Sequence, residues 1–91
     1  MRFQYDREAD ALMISVKDGL VARSEEIDSG TLLDLDEHGA LLAIEVLRPA
    51  RTWPLDEILA SHEVSEADSQ TLKALWGAEA PYPFVREPVV A

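Results

Sequence analysis

Gly30-Thr31-Leu32-Leu33-Asp34-Leu35-Asp36-Glu37-His38-Gly39-Ala40-Leu41-Leu42-Ala43-Ile44-Glu45-Val46-Leu47 is the stretch that decides the fold of this chain. Its first part, Thr31 to Asp36, alternates. Leu33 and Leu35 share one face and Asp34 and Asp36 the other, which is the period of a half-buried strand. Asp36-Glu37-His38-Gly39 reads as a type I turn closed by a glycine in the left-handed region. Beyond it, Leu41 to Leu47 sets Leu42, Ile44 and Val46 on one side and Leu41, Ala43, Glu45 and Leu47 on the other. A strand apolar on both faces is central in its sheet or covered twice.

The same period of two extends toward the amino terminus. Phe3 and Tyr5 alternate with Gln4 and Asp6, and Leu12, Ile14 and Val16 alternate with Met13, Ser15 and Lys17. Between them, Asp6-Arg7-Glu8-Ala9-Asp10 is short and polar and suits a hairpin connection. Asp18-Gly19 is a turn signal, and it predicts a third strand over Leu20 to Ile27 before Asp28-Ser29-Gly30 turns the chain again. Five strands with turns every few residues predict an antiparallel meander.

Arg48-Pro49 ends this pattern. Pro54 suits the opening of a helix, with Asp56 and Glu57 at the favourable end of its dipole and Leu55, Ile58 and Leu59 as its apolar edge. Ser65 reads as the N-cap of a second helix, with Asp68 three positions on. Leu72, Leu75 and Trp76 share one side of it, and Gly77 ends it. From Ala80 to Ala91, Pro81, Pro83 and Pro88 forbid a helix, while Tyr82, Phe84, Val85, Val89 and Val90 carry too much apolar surface for a solvated tail. An extended Pro-rich arm is expected there. The expected architecture is α+β in a single domain over residues 1–91, with a β-sheet half over 1–48 and a helical and extended half over 49–91.

The 91 residues hold 8 basic and 18 acidic side chains, a formal charge of −10. Nucleic-acid binding begins with Lys and Arg displacing counterions, and here no two basic residues are adjacent, so no nucleic-acid partner is expected. A basic protein would be attracted by the same field. The chain has no cysteine, which excludes disulfides and thiolate metal sites. The first residues, Met-Arg-Phe-Gln-Tyr-Asp, lead into no apolar run, and the longest nearly apolar stretch is interrupted by Glu45. No signal peptide or membrane partner is expected, and the expected compartment is cytoplasmic.

The segment Tyr5-Asp6-Arg7-Glu8-Ala9-Asp10-Ala11-Leu12, the run Gly30 to Gly39 and Ala43-Ile44-Glu45-Val46-Leu47 form three ordered blocks. Together they resemble a bacterial family named as domain of unknown function 2283, over residues 1–47. Met13 stands where an aromatic is common in that family, and Ala43 where glycine is common. The resemblance implies a small β-rich domain and brings no activity, cofactor or catalytic residue. Some members resemble partners in two-gene modules of the toxin–antitoxin kind.

Several groups of residues are candidates for function. Asp6, Glu8 and Asp10 form an alternating acidic triplet suited to a hard cation; the other reading is that Asp6 and Asp10 accept backbone amides and fix the hairpin turn. Asp34, Asp36 and Glu45 suit acid–base chemistry on one sheet face, or a solvated rim paired with arginines such as Arg23 and Arg48. Glu45, flanked by Ala43 and Leu47, needs a partner if half-buried. His38 and His62 are isolated and make no zinc site. No metal site, catalytic residue or cofactor is therefore assigned. Trp53, Trp76, Tyr82 and Phe84 are the interface candidates, either as a lid on their own sheet or through an arm that crosses to a second copy. The expected function is a non-enzymatic protein-interaction module, homodimeric, with a basic protein partner and an antitoxin-like role. The alternative is a small-ligand or metal-binding hydrolytic domain using Asp6, Glu8, Asp10, Asp34 and Glu45.

Overall fold

The structure is a computed structural model that describes residues 1–77. Its elements run β1 (Arg2–Asp6), β2 (Ala11–Ser15), β3 (Arg23–Asp28), β4 (Thr31–Leu35), β5 (Leu41–Leu47), α1 (Leu55–Ser61) and α2 (Glu66–Trp76). All strand pairs are antiparallel, in one five-stranded sheet followed by two helices. The α+β class and the five strands are as the sequence reads. The Pro-rich arm lies outside the described residues.

The strand order corrects the meander. It is β1-β2-β5-β4-β3, with β5 inserted between β2 and β4. Hairpins join β1 to β2, β3 to β4 and β4 to β5, but β2 and β3 never touch. Residues 16–22 cross the end of the sheet instead, held by Val16 N–H donating to Leu42 O at 2.8 Å and Ala22 N–H to Leu35 O at 2.8 Å. Asp18-Gly19 is therefore no hairpin turn, and Gly19 serves a close approach: a Cβ there would lie 2.9 Å from a Leu42 methyl. The third strand starts at Arg23, and Leu20 and Val21 are exposed in the crossing.

The alternation sorts the sheet into two faces. Leu12 and Ile14 of β2, Leu33 of β4, and Ile44 and Val46 of β5 are in register on one face. They form the core with Trp53, Leu55, Ile58 and Leu72 from the helical half. The register shifts between Asp34 and Leu35, so Leu35 and Leu41 come opposite each other and both enter the core. On the opposite face Ala11, Met13 and Ser15 of β2, Ala43, Glu45 and Leu47 of β5, and Leu32 and Asp34 of β4 are each half-buried. No described helix lies there.

The caps are legible in the backbone. Gly39 takes φ +84° as the β4–β5 turn requires. Pro54 N-caps α1, and the Ser65 hydroxyl accepts the Asp68 amide at 3.2 Å. Gly77 ends α2 in an extended conformation, where a Cβ would lie 2.5 Å from Lys73 O. No described helix is long and apolar enough to cross a membrane.

Candidate functional site

The acidic candidates fall into separate places with separate tasks. Asp6 ends β1, and its Oδ1 accepts the amides of Glu8 at 3.0 Å and Ala9 at 3.2 Å. Such an Asx turn fixes the hairpin and leaves that oxygen engaged. Asp10 takes φ +49°, tolerable for aspartate. Its carboxylate accepts the Tyr5 hydroxyl, and its carbonyl accepts the Arg48 amide at 2.7 Å. The hydrogen bond to Asp10, then burial and the Asp10 charge, raise the Tyr5 pKa above its ordinary value.

Asp34 and Glu45 share the open face, on adjacent strands. Asp34 accepts the Ser24 hydroxyl at 2.7 Å. Asp36, beyond β4, takes the amides of His38 at 2.8 Å and Ala40 at 2.9 Å. The Ala40 amide foremost holds its carboxyl below the usual range. Arg23 lies 3.9 Å from Glu25 in a wide ion pair, not beside Asp34.

Glu45 stands between Met13 and Leu32 in register. It lines two open grooves. One, about 750 Å³, is bordered by Gln4, Asp6, Glu8 and Met13; the other, about 150 Å³, by Glu26, Asp28, Leu32 and Leu47. The first groove brings Asp6, Glu8 and Glu45 to one rim, while Asp10 and Asp34 lie outside it. Among the described residues no three His, Asp or Glu side chains gather closely enough to hold a metal ion.

Of the interface candidates, Trp53 is 8% exposed and packs in the core of its own chain, as a lid on its own sheet would place it. Trp76 is half-buried, 6.3 Å from Trp53 and 5.2 Å from Phe3 between ring centroids, the latter edge to face. It pins β1 to α2. Tyr82 and Phe84 lie outside the described residues.

Sequence reading missed the strongest polar cluster. Arg51 donates from Nη1 to Asp28 Oδ2 at 3.2 Å, from Nη2 to Asp28 Oδ1 at 3.3 Å and Thr31 Oγ1 at 2.9 Å, and from Nε to Leu47 O at 3.0 Å. It ties the β3–β4 turn to the end of β5. Burial pushes the Asp28 carboxyl up, but the Gly30 amide, the Thr31 hydroxyl and Arg51 outweigh it and the pKa is lowered. Partners 23 residues apart leave no local signal. His62, which has no second histidine or cysteine near it in sequence, sets its Nε2 3.5 Å from Glu25 Oε1 while Nδ1 meets Ile58 O at 2.9 Å. It links α1 to β3.

Two sheet edges complete the surface. β1 is exposed along its length, and among the described residues nothing pairs with its outer side. β3 forms the other edge, charged and irregular. Residues 2–48 match the model of a family described as Protein of unknown function (DUF2283). No curated protein and no solved structure matches the chain.

Proposed function

This chain belongs to the family described as Protein of unknown function (DUF2283), and on that premise we propose that it is a non-enzymatic protein-interaction module. It works as a homodimer in the cytoplasm and meets a basic protein partner through its acidic surface. The observation that carries this reading is how its carboxylates are used. Asp6, Asp28 and Asp36 spend oxygens on turn amides, and Asp10 and Asp34 on hydroxyls. Side chains committed to shaping bends are poor proton shuttles, whereas exposed Glu8, Glu26 and Glu37 add to the charge of −10. Such a field speeds encounter with a cation-rich partner and selects its sign. An antitoxin-like chain blocking a basic ribonuclease-like toxin is the form most in keeping with that sign.

Affinity capture on the immobilised chain, then reconstitution with the purified partner, tests the reading. The expected partner has an isoelectric point above about 9, and its affinity falls at least about tenfold between low and moderate salt. Salt-insensitive binding of a neutral or acidic partner contradicts the reading.

A second reading, a cation or small ligand held for hydrolysis, rests on the groove bordered by Asp6, Glu8 and Glu45, whose carboxylates would have to draw together to ligate a metal. A melt with calcium, magnesium or manganese at a hundred times the dissociation constant would then gain about 2.7 kcal/mol. The first reading predicts no shift.

A further inference from the structure

We propose that the outer edge of β1 pairs antiparallel with the β1 of a second copy, with Gln4 on the twofold axis, joining two five-stranded sheets into one of ten. This rests on the reading of the chain as an interaction module and names the surface that holds the two copies together.

The sequence of β1 is complementary to itself. It has five residues, Arg2-Phe3-Gln4-Tyr5-Asp6. Centring an antiparallel pairing on Gln4 is the only register that pairs all five. Arg2 then lies opposite the partner's Asp6, Phe3 opposite the partner's Tyr5, and Gln4 opposite the partner's Gln4. Symmetry repeats the first two pairs, giving two opposite-charge pairs and two aromatic pairs across the junction. Directly opposed residues are the unit of sheet stabilisation, and these are favourable types. A slip by one residue destroys both kinds of pair and sends the aromatics to opposite faces.

The exposed surface fits this pairing. Phe3 and Tyr5 are 41% and 46% exposed although their ladder partners Ile14 and Leu12 are buried. Both aromatics lie on the helix-covered face, where Phe3 already abuts Trp76. A second copy brings its own Tyr5 against Phe3 on that face. Charge decides where two copies can meet. Each carries −10 and repels the other, but on β1 Arg2 and Asp6 cancel. The β3 edge lacks this property: a twofold pairing centred on it sets Glu25 or Glu26 against its own copy at the axis, and its register is interrupted between Glu26 and Asp28.

The test is sedimentation of the full chain from about 1 μM to 1 mM, a range suited to a small interface. Wild type should move from 10.1 kDa toward twice that mass. Gln4→Glu and Gln4→Lys, each facing its own like at the axis, should weaken association about threefold. An equimolar mixture of the two should recover it, because Glu then faces Lys. Arg2→Glu, applied twice by symmetry, should weaken it about tenfold. Arg2 and Gln4 are exposed, and unchanged melting of the dilute variants shows that the fold is intact. A monomer throughout overturns the proposal, including the case in which residues 78–91 of the same chain cover β1. A dimer indifferent to all three substitutions also overturns it, but leaves the interaction reading standing, because another surface then joins the copies.

Discussion

The two edge strands of this sheet solve the same problem in opposite ways. Both expose backbone groups that could template another chain. β3 is charged at Arg23, Glu25 and Glu26, bulged before Asp28, and held at two points, by Arg51 through Asp28 and by His62 of the helical half near Glu25. β1 is regular, carries two half-exposed aromatics, and is pinned by one ring contact to Trp76. The β3 edge is thus closed by charge, irregularity and tertiary anchors at once, each backing the others. An edge left regular and locally neutral is available for pairing.

The comparison breaks first at the β3 anchor. Arg51→Ala strips partners from Asp28, half-buried, and from the buried Thr31 hydroxyl and Leu47 carbonyl. Urea denaturation should show a loss of about 2 kcal/mol, with solution mass unchanged. A loss under about 0.5 kcal/mol would mean that the guanidinium does not hold the edge. Phe3→Ala removes the β1 pin, and a loss of about 1 kcal/mol is expected from the aromatic contact and its partial burial. Dimer formation should weaken in the same variant. If stability falls but association stays at the wild-type level, the aromatic pair across the junction is wrong.

Acid sharpens the β3 side further. Because the folded Asp28 pKa lies below its ordinary value, its contribution is complete above the usual carboxylate range and is lost as pH falls through the folded pKa. Melting temperature between pH 6 and pH 2 should fall more steeply for wild type than for Asp28→Asn. Asp36, lowered as well, titrates in both proteins, so the difference between the curves reports Asp28. Parallel curves would remove Asp28 from the account. The smallest effect belongs to Glu26→Val on β3. Stability should change by less than about 0.5 kcal/mol, and no new association should appear, because the bulge and both anchors remain. Oligomers larger than a dimer would show that charge alone kept this edge closed.

The sequence carried more of the topology than the meander used. Leu41–Leu47 reads as apolar on both faces, which demands a central strand, yet a sequential meander puts the fifth strand at an edge. Giving priority to the burial pattern over the turn spacing places β5 inside. Asp18-Gly19 misled because glycine serves a close approach as readily as a turn, and only the packed Leu42 distinguishes them. The short polar turns and both helix starts were legible, since their signals are local. Arg51 with Asp28 and Thr31, and His62 with Glu25, were not, because nothing in a sequence marks which distant charges meet. Of the acidic candidates, the turn-making task of Asp6 was readable from spacing. The gathering of Asp6, Glu8 and Glu45 on one groove rim needed the strand order.

Residue-resolved amide hydrogen exchange at two protein concentrations, one below and one above the dimer midpoint, tests the difference between the edges most directly. Amides within Arg2–Asp6 should gain protection in the concentrated sample while those within Arg23–Asp28 stay as they were. Protection of β1 that is identical at both concentrations, or a gain confined to β3, contradicts it.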